Sequence, residues 1–348
     1  MLKRIALLCL VVFAALSAKA QETAFFSEAH ESYKRGVVLF EQGVYAKARQ
    51  DFEHALQLLR PVNEPEAELL RTKAELNVAR CAVRTEAPDG EKLIRDFVRS
   101  HAPNAIANQA LVEVANYYFN ARQYEKAADY YERVPTNGMS RDQKAEVQLR
   151  MGYSLFVKKK FDKAKAAFRS IKDLENEYYY PTNYYLGLCY FFEGRYDAAI
   201  SQFKTVERSP KYKPHVPYYL AQIYFAERRY DELIGYAVKR VNSGDIRKDT
   251  EVRQLIGQSH FERGEYRKAL PYLQYYAERN DRLREEELYQ IGYTYYQVGD
   301  YARAIEYLKD LITVESEIGQ NAMFILGDSY LRVNQKESAR TAFGNAQR

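Results

Sequence analysis

The chain has few of the residues that carry catalysis or metal chemistry, and those few are scattered. Its three cysteines are Cys9, Cys81 and Cys189. Cys9 sits inside an N-terminal apolar run behind the large Leu8, which is the wrong context for a lipid-bearing cysteine. Cys81 and Cys189 are 108 residues apart and read as small buried hydrophobes rather than a disulfide, redox pair or metal site. The five histidines, His30, His54, His101, His215 and His260, are equally dispersed. No H-E-x-x-H, G-x-S-x-G, P-loop or dinucleotide fingerprint occurs. No catalytic, cofactor-binding or metal-ligating residue is therefore assigned, and the expected protein is not an enzyme. Long apolar runs are also missing. The longest, Ile5 to Leu16, is too short to span a bilayer, and no second candidate follows Ala20. The 10 prolines and 16 glycines fall mostly at turns, so no low-complexity linker divides the chain.

The N-terminus reads as a secretory leader. Lys3 and Arg4 precede the apolar run, and Ser17-Ala18-Lys19-Ala20 ends in an A-x-A site. Residues 1–20 are expected to be cleaved, leaving Gln21 first in a secreted, periplasmic chain. Losing Lys3, Arg4 and Lys19 takes 52 basic residues to 49 against 47 acidic ones, a net charge of about +2. A near-neutral surface argues against a general nucleic-acid binder.

What is present is a repeat. Gly152, Gly187, Ala221, Gly257, Gly292 and Gly327 recur at intervals of 34 to 36 residues. An aromatic stands nine residues after most of them (Phe161, Tyr196, Tyr230, Tyr266, Tyr301), and an alanine twelve after (Ala164, Ala199, Ala269, Ala304, Ala339). A period of this length marks a solenoid whose units bury their apolar faces on their neighbours. In the unit from Tyr184 to Val206, the residues around Leu186 and Cys189 form one helix and Glu193-Gly194-Arg195 breaks it. Tyr196, Ala199, Ile200, Phe203 and Val206 form the apolar stripe of a second helix. Gly187 and Ala199 are small because the two helices cross closely there.

This unit resembles the tetratricopeptide repeat, across almost the whole chain after residue 20. The eighth position is Gly36, Ala115, Gly152, Gly187, Ala221, Gly257, Gly292 or Gly327. The twenty-fourth is Phe52, Tyr131, Phe168, Phe203, Ala237, Leu273, Leu308 or Phe343. The resemblance implies an all-α, right-handed superhelical solenoid of antiparallel helix pairs. About nine units are expected, near 28–61, 66–103, 108–135, 145–172, 180–208, 214–241, 250–278, 285–314 and 320–348. The second is degenerate, because 79 residues separate Gly36 from Ala115. Pro271 is expected to kink its helix or delay its start. With no polar capping helix after the last unit, Phe343 and Ala346 are expected to face outward, as in a fragment of a longer parent. The tyrosine-rich stretch from Tyr178 to Tyr236 looks like the large periplasmic tetratricopeptide proteins of Bacteroidetes-type bacteria.

In that family the first helices line a concave face. The resemblance places Phe40, Phe119, Phe156, Phe191, Phe225, Phe261, Tyr296 and Leu331 at the twelfth position, with Tyr184, Tyr218 and Tyr289 among the residues at the fifth. Phe156, Tyr184, Phe191, Tyr218, Phe225, Phe261, Tyr289 and Tyr296 are taken as the partner-binding residues. The expected partner is a peptide segment or helix of an envelope protein, with peripheral association to an outer-membrane complex. The same aromatics have a second reading, as packing against the next repeat. The lysine and asparagine clamp by which some relatives hold a terminal carboxylate is represented only by Asn116. Glu285-Glu286-Glu287 and Lys158-Lys159-Lys160 read as solvated, the second as a turn, and His260 as a packed core histidine. The alternative function is the non-catalytic solenoid of a longer cell-wall-active enzyme.

Overall fold

A computed structural model describes residues 2–244, 246–312 and 316–346, with side chains at Lys19 and from Gln21 onward. The leader expected over residues 1–20 falls almost wholly on side chains outside that set. Among the described residues there are eighteen α-helices and no strand. No helix among them is long and apolar enough to cross a membrane.

The helices fall into two compact units, Met1–Leu174 and Glu175–Arg348. The first holds α1 (Leu2–Glu41), α2 (Tyr45–Leu59), α3 (Pro65–Arg84), α4 (Gly90–His101), α5 (Ala105–Asn120), α6 (Tyr124–Glu132), α7 (Arg141–Val157) and α8 (Phe161–Arg169). The second holds α9 (Tyr179–Phe192), α10 (Tyr196–Val206), α11 (Val216–Ala226), α12 (Tyr230–Ser243), α13 (Asp249–Glu262), α14 (Tyr266–Ala277), α15 (Glu285–Val298), α16 (Tyr301–Leu308), α17 (Glu317–Arg332) and α18 (Lys336–Ala346). Each odd helix packs against the even helix that follows it, so the all-α helix-pair architecture implied by the period is the one observed.

Two features of the repeat make each pair. The turn places one residue in the left-handed region, seven positions after the small residue. Glycine occupies it at Gly43, Gly194, Gly264 and Gly299 (φ 78°, 71°, 70° and 88°), where the absence of Cβ removes the steric cost. Arg122, Lys159 and Arg228 adopt the same conformation at φ 59°, 57° and 56°. The helix crossing is the second feature. A Cβ on Gly152 would lie 2.5 Å from Phe168 Cε1, and one on Gly187 2.9 Å from Phe203 Cε1. The bulky residue sixteen positions on fills the space that the glycine leaves. At Ala221, which has a Cβ, the residue sixteen on is Ala237, and both are fully buried. Gly235 marks the contrast. It is a helical glycine in α12 with nothing within 4 Å of its would-be Cβ. Gly235→Ala is expected to stabilise the chain by about 0.5–1 kcal/mol through backbone entropy, read as a higher midpoint in urea.

The degenerate unit is a helix pair all the same. Five residues, Thr85 to Asp89, join α3 to α4, whereas three join α7 to α8. The close approach has moved as well. A Cβ on Gly90 would lie 3.0 Å from the Ala82 carbonyl carbon, so the small residue is on the second helix. That shift of register hides the unit from the repeat pattern.

Three local expectations change. The helix containing Pro271 starts at Tyr266, the same register as its counterparts, so its start is not delayed. Phe343 does not face outward: its ring packs on Gly327, 2.7 Å from the would-be Cβ, and 5.7 Å from the Phe324 ring. Glu287 is not on a solvated face: it is 4% exposed and accepts hydrogen bonds from three helices or their caps. Its neighbours Glu285 and Glu286 are exposed. The lysine turn has internal partners, with Lys158 and Lys160 Nζ at 3.1 and 3.3 Å from the Glu125 carboxylate, whose pKa they hold below the usual range.

Candidate protein-binding site

Within each unit most successive first helices touch one another. α3 meets α5 and α5 meets α7, while α11, α13, α15 and α17 form a continuous series. No comparable contact joins successive second helices among the described residues. The first-helix side is therefore the tighter side of each stack, and the twelfth-position residues lie along it.

Those residues share one environment. Phe40, Phe119, Phe156, Phe191, Phe225, Phe261 and Tyr296 are all half-buried. Each packs against the aromatic that opens its own second helix. Ring centroids are 5.2 Å apart for Phe40–Tyr45, 5.8 Å for Phe119–Tyr124 and 5.7 Å for Phe156–Phe161. In the second unit they are 6.4 Å for Phe191–Tyr196, 5.6 Å for Phe225–Tyr230, 5.6 Å for Phe261–Tyr266 and 5.8 Å for Tyr296–Tyr301. In two places the next repeat adds a tyrosine to the pair. Tyr153 lies 5.7 and 5.5 Å from Phe119 and Tyr124, and Tyr293 lies 5.8 and 5.5 Å from Phe261 and Tyr266. At these places the ring is shared with inter-repeat packing, as the second sequence reading expects.

Of the eight residues taken as partner-binding, Phe156 lies in the first unit and seven in the second. Tyr184 is 9% exposed, enclosed by Tyr212, Tyr219 and Phe203, and burial pushes its hydroxyl pKa up. Its ring offers a partner little surface. Tyr218 is half-buried, with the Lys248 ammonium 4.5 Å above its ring. Tyr289 stacks on Tyr293 at 5.7 Å, and burial raises its pKa. Tyr296 donates to Asp328 Oδ2 at 2.8 Å, which raises the tyrosine pKa and ties α15 to α17. The face is more polar than an aromatic ladder, since Gln258 Nε2 also donates to Gln290 Oε1 at 3.1 Å. Exposed apolar residues on the first helices include Phe192, Phe324 and Leu331, 56%, 61% and 48% exposed.

The residues set aside by sequence are packed. His260 is 6% exposed, with Nδ1 2.7 Å from Glu265 Oε2 and its ring 6.1 Å from Tyr272. Cys81 and Cys189 are buried, and burial pushes the Cys81 thiol up to about 11. Asn116 is engaged internally, accepting from Arg150 Nη1 at 2.9 Å and from the Tyr131 hydroxyl. The feature that sequence reading missed is a group of three rings, Phe40, Tyr45 and Tyr117, around Arg84. It is built partly from the degenerate unit, where no register pointed to it.

Comparison with known proteins agrees with this architecture. Tetratricopeptide repeat family models match residues 146–174 and 289–347. The matched segments are tetratricopeptide repeats, a fold that supports a protein–protein interaction scaffold generally. No curated protein sequence matches it at a significant level. Among solved structures, it is 14% identical to a signal transduction ATPase with a tetratricopeptide repeat sensor from Pyrococcus horikoshii (TM-score 0.47), covering 86% of this chain and 52% of that one. The chain therefore spans about half the length of that relative. A tetratricopeptide repeat protein from Parabacteroides merdae is 15% identical over 79% of this chain and 92% of its own, with a TM-score of 0.32. The APC/C hetero-tetramer Cut9–Hcn1 is 14% identical over 91% and 72%, with a TM-score of 0.36.

Proposed function

We propose that this protein is a non-enzymatic scaffold of the bacterial cell envelope that holds a peptide segment or partner helix against its first-helix face. The observation that supports this is the recurrence, in seven repeats, of an aromatic half-buried in the same way at the twelfth position. A purely structural row is best served by full burial, as at the twenty-fourth position, where Phe52, Phe168 and Phe203 are 0% exposed. A row left half-open presents large, rigid apolar surface at low entropic cost, the usual make-up of binding hot spots. The leader pattern of Lys3, Arg4, Ile5 to Leu16 and Ala18-Lys19-Ala20 supports export to the periplasm.

The test is a variant carrying Phe191→Ser, Phe225→Ser and Phe261→Ser, compared with the parent by cross-linking capture from the native envelope. Removing three such side chains is expected to weaken partner binding at least about 30-fold, the effect of about 2 kcal/mol if one of them is a hot spot. Circular dichroism must show retained helix. Unchanged capture by a folded variant moves binding off this row, and loss of helix assigns the row to the core.

A further inference from the structure

Half-buried arginines in this chain share a common pattern of pairing, with one exception among the described residues. Arg49, Arg80, Arg150 and Arg253, like the others of that class, each have a carboxylate within 4.0 Å and a hydrogen-bond acceptor. Arg84, at the end of α3, is half-buried and has neither. Three aromatic rings hold it instead. Its Cζ lies 4.9 Å from the Phe40 ring, 5.4 Å from Tyr45 and 5.5 Å from Tyr117, rings of the repeats before and after its own. Stacking of this kind uses the faces of a guanidinium and leaves its in-plane N–H donors uncommitted. Those donors are free to meet an anion.

Arg80, one helical turn earlier, is already neutralised. Its Nη2 lies 2.5 Å from Glu113 Oε2, and its Nη1 donates to Asn77 Oδ1 at 2.9 Å. The site therefore has one uncommitted positive charge and one planar fork, which a carboxylate can meet with two hydrogen bonds. Arg80, Arg84 and Tyr117 line a small cleft that includes Glu113. Glu113 also lines a groove of about 610 Å³ along α5 and α7, with Asn108, Val112, Val147 and a second glutamate, Glu146, that is paired with Arg150. Gln109 and Gln143 line it as well, engaged by Glu113 and by the Ser140 amide, and the arginine cleft adjoins the groove at Glu113.

We propose that Arg84 receives an aspartate or glutamate side chain of an extended acidic peptide lying in the first-helix groove of residues 1–174. The proposal rests on the reading that the first-helix face binds a peptide, and adds the charge that the peptide carries. It does not involve the lysine and asparagine clamp, whose one matching residue, Asn116, is occupied.

The experiment uses two acetylated, amidated octapeptides, one of alternating Glu and Leu and one of alternating Gln and Leu. Both are titrated by calorimetry at low salt into the parent, Arg84→Gln, Arg84→Lys and the exposed-charge control Arg267→Gln. The parent and the control are expected to bind the Glu peptide about tenfold tighter than the Gln peptide, the discrimination of one charge-assisted bidentate contact. Arg84→Gln is expected to bring the ratio within about twofold, and Arg84→Lys to leave it intermediate because an ammonium has no fork. Taking the ratio within one variant cancels any partial loss of folded protein. A parent ratio near one, no binding of the Glu peptide, or a ratio that survives Arg84→Gln overturns the proposal. Binding of both peptides that is indifferent to charge and lost with Phe119→Ser and Phe156→Ser, on α5 and α7, keeps the aromatic-face reading and removes Arg84 from it. Arg84-dependent binding untouched by that double variant keeps Arg84 and removes the aromatic row.

Discussion

Glu287→Ala is expected to cost the second unit about 2–4 kcal/mol. Glu287 Oε1 accepts from Gln254 Nε2 at 2.7 Å, the Tyr276 hydroxyl at 3.0 Å and Arg284 Nη2 at 2.8 Å, while Oε2 accepts from the Arg284 amide at 2.9 Å. One carboxylate thus ties α13, α14 and α15 together. Truncation leaves Gln254 and Tyr276 without their acceptor. The estimate stays below that for a fully enclosed ion pair because the Arg284 side chain is 71% exposed. Glu287→Gln keeps one acceptor and is expected to lose only about 1 kcal/mol. Burial raises the Glu287 pKa, but the hydrogen bonds from Arg284, Gln254 and Tyr276 outweigh it and hold the pKa below the usual range. The stabilisation is therefore complete above the unfolded-state value of about 4.3 and is lost as pH falls through the lower folded value. Urea unfolding at pH 7 and pH 3 measures both effects. An alanine variant with the parent's midpoint at pH 7 would remove Glu287 from the account of stability.

The second large effect is at the helix crossing. Gly152→Val is expected to destabilise α7 and α8 by about 3 kcal/mol, since its Cβ meets the buried Phe168 ring at 2.5 Å. Phe168→Ala alone opens a cavity worth about 3–5 kcal/mol. Combining them is expected to cost at least about 1.5 kcal/mol less than the sum, because each change relieves the other. The chain contains the small–small version of this crossing at Ala221 and Ala237. Hydrogen exchange of the α7 and α8 amides is the suitable probe, because a repeat stack opens by neighbours rather than as one body. Strict additivity would mean that the glycine and the phenylalanine are not packed on each other.

The helix pairs were legible from sequence because a steric rule repeats. A glycine must face a large ring or leucine sixteen positions on, and a left-handed residue must close the turn seven positions on. Six copies of the crossing and eight of the turn, in near-constant register, outweigh local ambiguity. What escaped were contacts made by single residues. Glu287 stands in a run of three glutamates, and only its position over Gln254 and Tyr276 distinguishes it from its exposed neighbours. Gly90 performs the crossing of the degenerate unit from the opposite helix, so the register of α3 and α4 could not be matched. Arg84 is caged by rings from the units on either side of its own, a combination that has no fixed spacing. The twelfth-position aromatics were visible as a row, but their half-burial depends on tyrosines such as Tyr153 and Tyr293 reaching back from the following unit.

The central claim is that partners meet the first-helix face. Site-specific photo-cross-linking from within the envelope tests it with less disturbance than truncation. Benzoylphenylalanine is placed singly at Phe225 and Phe261 on that face, and at the exposed Lys204 and Lys239 on second helices. The account predicts adducts of a discrete partner from positions 225 and 261 and none from 204 and 239. Adducts from 204 and 239 alone would contradict it and return the aromatic row to the inter-repeat core.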